Sequence, residues 1–185
     1  MKRLVVILIA LFIVGAVNHS QAQLANNSTK KEVKKEQKAE KKALRKLKGA
    51  YVSDASKRSF FTDFGNIPNV VWTRTDYFDE AVFMKNGKEL KAYYDEDGNL
   101  VGTTSVITFA EIPSIAQQNI KKNYKDAVPG KVIYYDDNEI NDTDMLLYGI
   151  PFDTPDIYFV EMTQGDKKFV INCDTKGNVS FFKQL

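Results

Sequence analysis

The spacing of apolar residues changes along the chain, and the changes predict the elements. In "SDASKRSFFTDFG", Ser53 or Ser56 can cap a helix start, Phe60, Phe61 and Phe64 mark one apolar side, and Gly65 suits the end. In "EIPSIAQQNIKKNYKDA", Ile112, Ile115, Ala116, Ile120 and Tyr124 recur at helical spacing, with Pro113 in the first turn and Lys121, Lys122 and Lys125 on the wet side. Elsewhere the pattern is that of strands. "NVVWTRTDYF" is rich in branched and aromatic residues. The run that follows contains Asn86-Gly87, a strong hairpin signal, and then Asp97-Gly98-Asn99, a second turn. Four strands at about 69–76, 79–85, 88–95 and 100–108 are expected. After the second helix the pattern returns, as "KVIYYDDN" and three strands in "DIYFVEMTQGDKKFVINCDTKGNVSFFKQL".

Aligning Gly98-Asn99 with Gly177-Asn178, an offset of 79, places apolar on apolar: Ala81 on Val160, Phe83 on Met162, Leu90 on Phe169, Ala92 on Ile171, Tyr94 on Cys173. The expected fold is α+β. It is a tandem repeat of a helix plus a four-stranded antiparallel meander, about 53–109 and 111–185, with the helices on one face of the sheet. The second copy carries an insertion, "EINDTDMLLYGIPFDTP", between its first two strands.

Upstream of this domain, residues 1–22 read as a secretory signal peptide. Lys2 and Arg3 precede the apolar run Leu4–Val17, and Ser20 and Ala22 stand at a small-residue cleavage site, so cleavage after Ala22 is expected. The run is shorter than the roughly 20 residues of a membrane span, so no transmembrane helix is expected after signal removal. Residues 23–50 hold ten Lys and Arg against three Glu, whereas residues 51–185 hold 14 against 21 Asp and Glu. The first stretch reads as a Lys-rich, partly helical linker or arm. Contact with anionic lipid or polysaccharide is its second reading, and nucleic acid is not expected for an exported chain.

Candidate chemistry is sparse. The only histidine, His19, leaves with the signal, so the mature chain lacks the commonest general base. The single cysteine, Cys173, shares a strand phase with Phe169 and Ile171 and reads as a buried apolar residue. Asp95, Asp97 and Asn99 alternate as in a calcium loop, but the sixth position is Leu100 and the twelfth Val106, where that loop needs Gly and Glu. A turn is the better reading. The acidic run Asp136–Asp144 has no rigid ligand spacing and reads as a solvated loop or a partner for the basic arm, with weak calcium binding as an alternative. Catalytic motifs are absent from the sequence, and no catalytic residue, metal ligand or cofactor is expected.

Aromatic residues are the remaining lead. Strand alternation places Tyr93, Phe159 and Phe182 opposite the inward residues Tyr94, Val160 and Phe181. With Trp72 and Tyr134 they form a candidate binding set on a free sheet face. Alternatively, they cover the sheet, pair across strands or pack under the insertion.

The stretches "FFTDFGNIPNVVWTRTDYFDEAVFMKNGKELKAYYDEDGNLVGTT", "EIPSIAQQNIKKNYKDA" and "DIYFVEMTQGDKKFVINCDTKGNV" together resemble the PepSY-like periplasmic proteins of Bacteroidetes, which are related to the fold of the β-lactamase-inhibitor protein. The resemblance covers about 55–185. It rests on the Trp of the first strand, the A-Y-Y-D-x-D-G-N hairpin and the I-P before the middle helix. It implies the tandem repeat, export to the periplasm and binding of a protein or peptide, inhibition included, and it carries no catalytic residues. The expectation is an exported, non-enzymatic binding module, periplasmic or secreted. The alternatives are an envelope-associated structural protein attached through its basic arm and a weak calcium-binding protein.

Overall fold

A computed structural model describes residues 44–153 and 155–185. The expected signal peptide and nearly all of the expected Lys-rich arm, up to residue 43, lie outside the described residues. Among the described residues no helix is long and apolar enough to cross a membrane.

Local chemistry sets the boundaries of the first helix, α1 (Asp54–Phe64). The Ser53 hydroxyl accepts from the Ser56 N–H at 3.0 Å, which satisfies one of the free donors of the first turn. Asp54 sits where the helix dipole favours an acid, and Gly65, at φ +80°, stops the helix while its N–H bonds Phe61 O. Four antiparallel strands follow: β1 (Val71–Arg74), β2 (Asp79–Lys85), β3 (Lys88–Tyr94) and β4 (Leu100–Ile107). Asn86 and Gly87 both have positive φ, as the tight β2–β3 hairpin requires.

A 3-10 turn (Phe109–Glu111) leads to α2 (Ser114–Asn123), with Pro113 just outside its first turn. Then come β5 (Val128–Asp137), the short pair β6 (Met145–Leu147) and β7 (Ile150–Phe152), and β8 (Ile157–Gln164), β9 (Lys167–Asp174) and β10 (Val179–Gln184). The main sheet has eight strands in the order β1-β2-β3-β4-β5-β8-β9-β10, joined antiparallel throughout. The β6–β7 hairpin forms a separate two-stranded sheet. The domain is thus α+β, and a helix followed by a four-stranded meander occurs twice in chain order. The insertion, expected only as a connection, supplies the extra hairpin.

Three apolar clusters hold these layers together. α1 packs Phe60 on Ala81, Phe83, Ala92 and Tyr94. α2 packs Ile112, Ala116 and Ile120 on Val132, Val160, Met162, Phe169, Ile171 and Cys173. The residues matched by the 79-residue offset therefore face the helix of their own half. The third cluster lies on the other side of the sheet and includes Tyr93, Val101, Tyr135, Phe159 and Val170. Each fully buried large side chain contributes roughly 1.5–3 kcal/mol, so all three clusters matter to stability. One expectation about α1 is corrected. Phe60 and Phe64 turn to the sheet, but Phe61 is exposed, because a residue next to Phe60 is rotated by about 100° from it.

Candidate functional site

The helices cover one side of the sheet unequally, and this places two of the five candidate aromatics. Trp72 lies under α1, edge-on to the Phe60 ring at 5.5 Å and tilted against Tyr94 at 5.9 Å. α1 is tied down by a polar network as well. The fully buried Asp79 carboxylate accepts from Arg74 Nε at 2.7 Å, Arg74 Nη2 at 2.9 Å, Ser56 Oγ at 2.8 Å and the Ser53 N–H at 2.9 Å. Burial opposes its ionisation, but the hydrogen bonds from Arg74, Ser53 and Ser56 outweigh that and hold the group below the usual carboxylate range. Tyr134 also lies on the helix side, where its ring stacks on Tyr158 at 4.9 Å. Tyr134, Ser105, Thr103 and Asp136 line a groove of about 520 Å³ that reaches Phe64 and Lys88. Burial, and then the Asp156 carboxyl, raise the pKa of Asp136.

The other three aromatics lie on the face away from the helices, as strand alternation predicts, yet that face is not free around them. Phe159 is fully buried and Tyr93 nearly so, with Phe182 half-buried. The insertion supplies the cover. Phe152 of β7 meets the rings of Tyr135 at 5.2 Å, Phe159 at 5.0 Å and Phe182 at 6.1 Å, and Met145 of β6 is buried in the same cluster. The Tyr148 hydroxyl donates to Glu161 at 2.9 Å, and Lys183 Nζ donates to Tyr148 O, which pins the hairpin tip. Tyr93 stands edge-on to Phe78, with its hydroxyl 3.0 Å from Thr104 Oγ1, and Leu44 packs against the same cluster. The set Trp72, Tyr93, Tyr134, Phe159 and Phe182 is thus split over two faces, and most of it serves packing.

What stays open is a different set. On the face away from the helices, Val71, Met84 and Val106 are 62%, 56% and 64% exposed. Val71 pairs with Val82 and Val106 with Ile133, both half-buried and on the same face. Glu80 and Lys91 form an ion pair at 3.0 Å beside them. Sequence reading missed this patch because it weighed aromatic size, and lone Val and Met residues at solvent phase look like ordinary strand formers. Their shared face and lack of cover depend on strand order and on where the insertion folds.

Two acidic turns are closed by their own carboxylates. Asp95 Oδ1 accepts from the N–H groups of Asp97 and Asn99, and Gly98 has φ +79°. Asp174 Oδ1 does the same for Lys176 and Asn178, with Gly177 at φ +89°. The other Asp95 oxygen accepts from Asn141 Nδ2 at 3.0 Å, which fastens the 138–144 loop to this turn. The described end of the basic arm pairs elsewhere. Residues 44–48 form no helix; Arg45 bonds Glu96 at 2.7 Å, Lys46 lies 3.3 Å from Asp76, and the Leu47 N–H donates to Asp76 O.

The described residues contain no group of three or more His, Cys, Asp or Glu placed to hold a metal ion. Burial pushes the Cys173 thiol up to about 12 and the Tyr93 phenol up to about 12, so neither is an activated nucleophile at neutral pH.

No family profile and no curated protein sequence matches the chain. Solved structures do. A DUF2874 family protein from Bacteroides uniformis ATCC 8492 superimposes with a TM-score of 0.60 at 14% identity, over 72% of this chain and 90% of that one. A BLIP-like protein from Bacteroides fragilis NCTC 9343 gives 0.58 at 17% identity, over 73% and 89%. The fold is shared with a BLIP-like protein. A protein from Bacteroides eggerthii DSM 20697, provisionally named as periplasmic, gives 0.58 at 16% identity, over 73% and 88%. At these identities the likeness shows the fold alone.

Proposed function

We propose that this chain is an exported, non-enzymatic binding module that recognises a protein or peptide in the periplasm. In this reading it is PepSY-like, its two helix-plus-meander halves are copies of one unit, and residues 1–22 direct export. The observation that carries the binding role is the patch of Val71, Met84 and Val106, more than half exposed on a sheet face that no helix among the described residues covers. Scattered exposed apolar residues need no explanation, but here Met84 and Val106 flank Glu89 on one row of the face, with half-buried Val82 and Ile133 beside them, and apolar residues grouped on one face are a feature of interaction sites. The BLIP-like and provisionally periplasmic neighbours support the binding role and the location. The lack of a histidine after signal removal, together with thiol and phenol groups held protonated by burial, argues against catalysis. Crosslinking in intact cells tests the proposal. The wild type should trap a partner that Val106→Glu combined with Met84→Glu does not; equal recovery by both would end the case for this face.

A further inference from the structure

The second half of the domain covers its own outer face with a hairpin, and the first half does not. The connection between the first two strands of the second half, residues 138–156, folds into β6–β7 and lies over Tyr135, Phe159 and Phe182. The matching connection in the first half, residues 75–78, is a tight turn closed by Thr75 N–H to Phe78 O. The open patch continues directly from the covered region. Phe152 of the hairpin rests on Phe159, Phe159 pairs with Ile133, Ile133 with Val106, and the next residues on that row reach Met84 through Glu89.

From this we infer that the first-half face is a dock for a β-hairpin or extended segment of another protein, seated beside β6–β7 and presenting apolar side chains at alternate positions. The inference rests on the sheet-face reading above and names its occupant. Three observations point to that class of ligand. The chain itself shows which element fits this sheet face, since Met145 and Phe152 of a two-stranded hairpin fill it next door. Apolar residues recur at two-residue spacing on this face, half-buried Val82 and exposed Met84 on β2, and a strand laid on them repeats its side chains with the same period. Size selects against a second copy. Four strands about 4.8 Å apart, with rows about 7 Å apart along them, make a patch of roughly 300 Å², whereas a stable dimer buries about 800 Å² on each partner.

The test uses the full mature chain as bait for two displayed peptide libraries, one of disulfide-closed β-hairpins and one of stapled helices, each randomised on one face. Affinities are then measured for wild type, Val106→Glu, Met84→Glu and the distant control Phe61→Ser, each checked by thermal melting. The expected result is hairpin binders with alternating apolar residues, weakened at least tenfold by Val106→Glu and by Met84→Glu and unchanged by Phe61→Ser. Helical binders that show the same sensitivity would overturn the hairpin dock and leave sheet-face recognition standing. Binders indifferent to both face substitutions, or none from either library, would overturn both. A dimer in sedimentation that Val106→Glu dissolves would replace the foreign hairpin with a second copy.

Discussion

The two halves of the domain share an order of elements but hold their layers together by different chemistry. In the first half a side-chain cap from Ser53 and a buried Asp79–Arg74 pair fasten α1 to the sheet. In the second half α2 has no side-chain cap, and Tyr158 stands 79 positions after Asp79, stacked on Tyr134. There the helix is held by an apolar cluster and by one polar tie, Asn119 Nδ2 to Gly177 O at 2.8 Å. The outer faces differ in the opposite sense: the second is sealed by β6–β7 and the first is open. Neighbouring parts of one sheet can therefore diverge, one sealing its outer face with its own hairpin while the other leaves Val71, Met84 and Val106 exposed.

Breaking the seal should give the largest effect. Phe159→Ala removes a ring packed between Phe152 and Phe182 and should cost about 3–5 kcal/mol in urea unfolding. A loss below 1 kcal/mol would mean that the hairpin does not cover this face in solution. Next comes the ionic anchor. Asp79→Asn should cost about 1.5–3 kcal/mol near neutral pH, against little for Tyr158→Phe. Because the folded Asp79 group titrates below its unfolded value, its stabilisation is complete above the unfolded value and is lost as pH falls towards the folded one. Stability of the wild type should drop more steeply than that of Asp79→Asn in acid; parallel curves would remove Asp79 as the cause.

The two turn glycines give a finer contrast. A Cβ on Gly98 would lie 2.8 Å from the Ser56 backbone nitrogen, whereas one on Gly177 would meet the side chain of Ile115 at 2.9 Å. Both also have positive φ. Gly177→Ala should cost about 1–2 kcal/mol, and Gly98→Ala about 1–3 kcal/mol more, since backbone yields less than a side chain. Equal melting temperatures would show that α1 and α2 shift alike. Smallest of all, Val106→Glu on the open face should change stability by under about 0.5 kcal/mol, and the buried Cys173 thiol should react with alkylating reagents only as the chain unfolds.

Much of the fold was legible because it is written in local terms. Asn86-Gly87 demands a tight hairpin, Ser53 and Gly65 bound a helix, and the alternation around Tyr93–Tyr94 places the first on one face and the second on the other. The candidate site was less legible. Alternation says which way Phe159 points, but not what lies above it. Nothing local in "MLLYGIPF" announces that it will cross over β5 and β8–β10, because the hairpin's own strands are three residues long and its hydrogen bonds say nothing of its resting place. The Arg74–Asp79 pair likewise reads as two ordinary surface charges until α1 closes over it.

Outside the insertion, sequence alone therefore determined element type, strand phase and turn geometry, since these follow from backbone sterics and from side-chain bonds to near neighbours. Only the tertiary structure decided exposure: which sheet face is sealed, which aromatics are core, and that Val71, Met84 and Val106 are left in the open. Exposure depends on contacts between residues far apart in the chain, and the free energy of burying apolar surface has no direction that a short stretch of sequence could record.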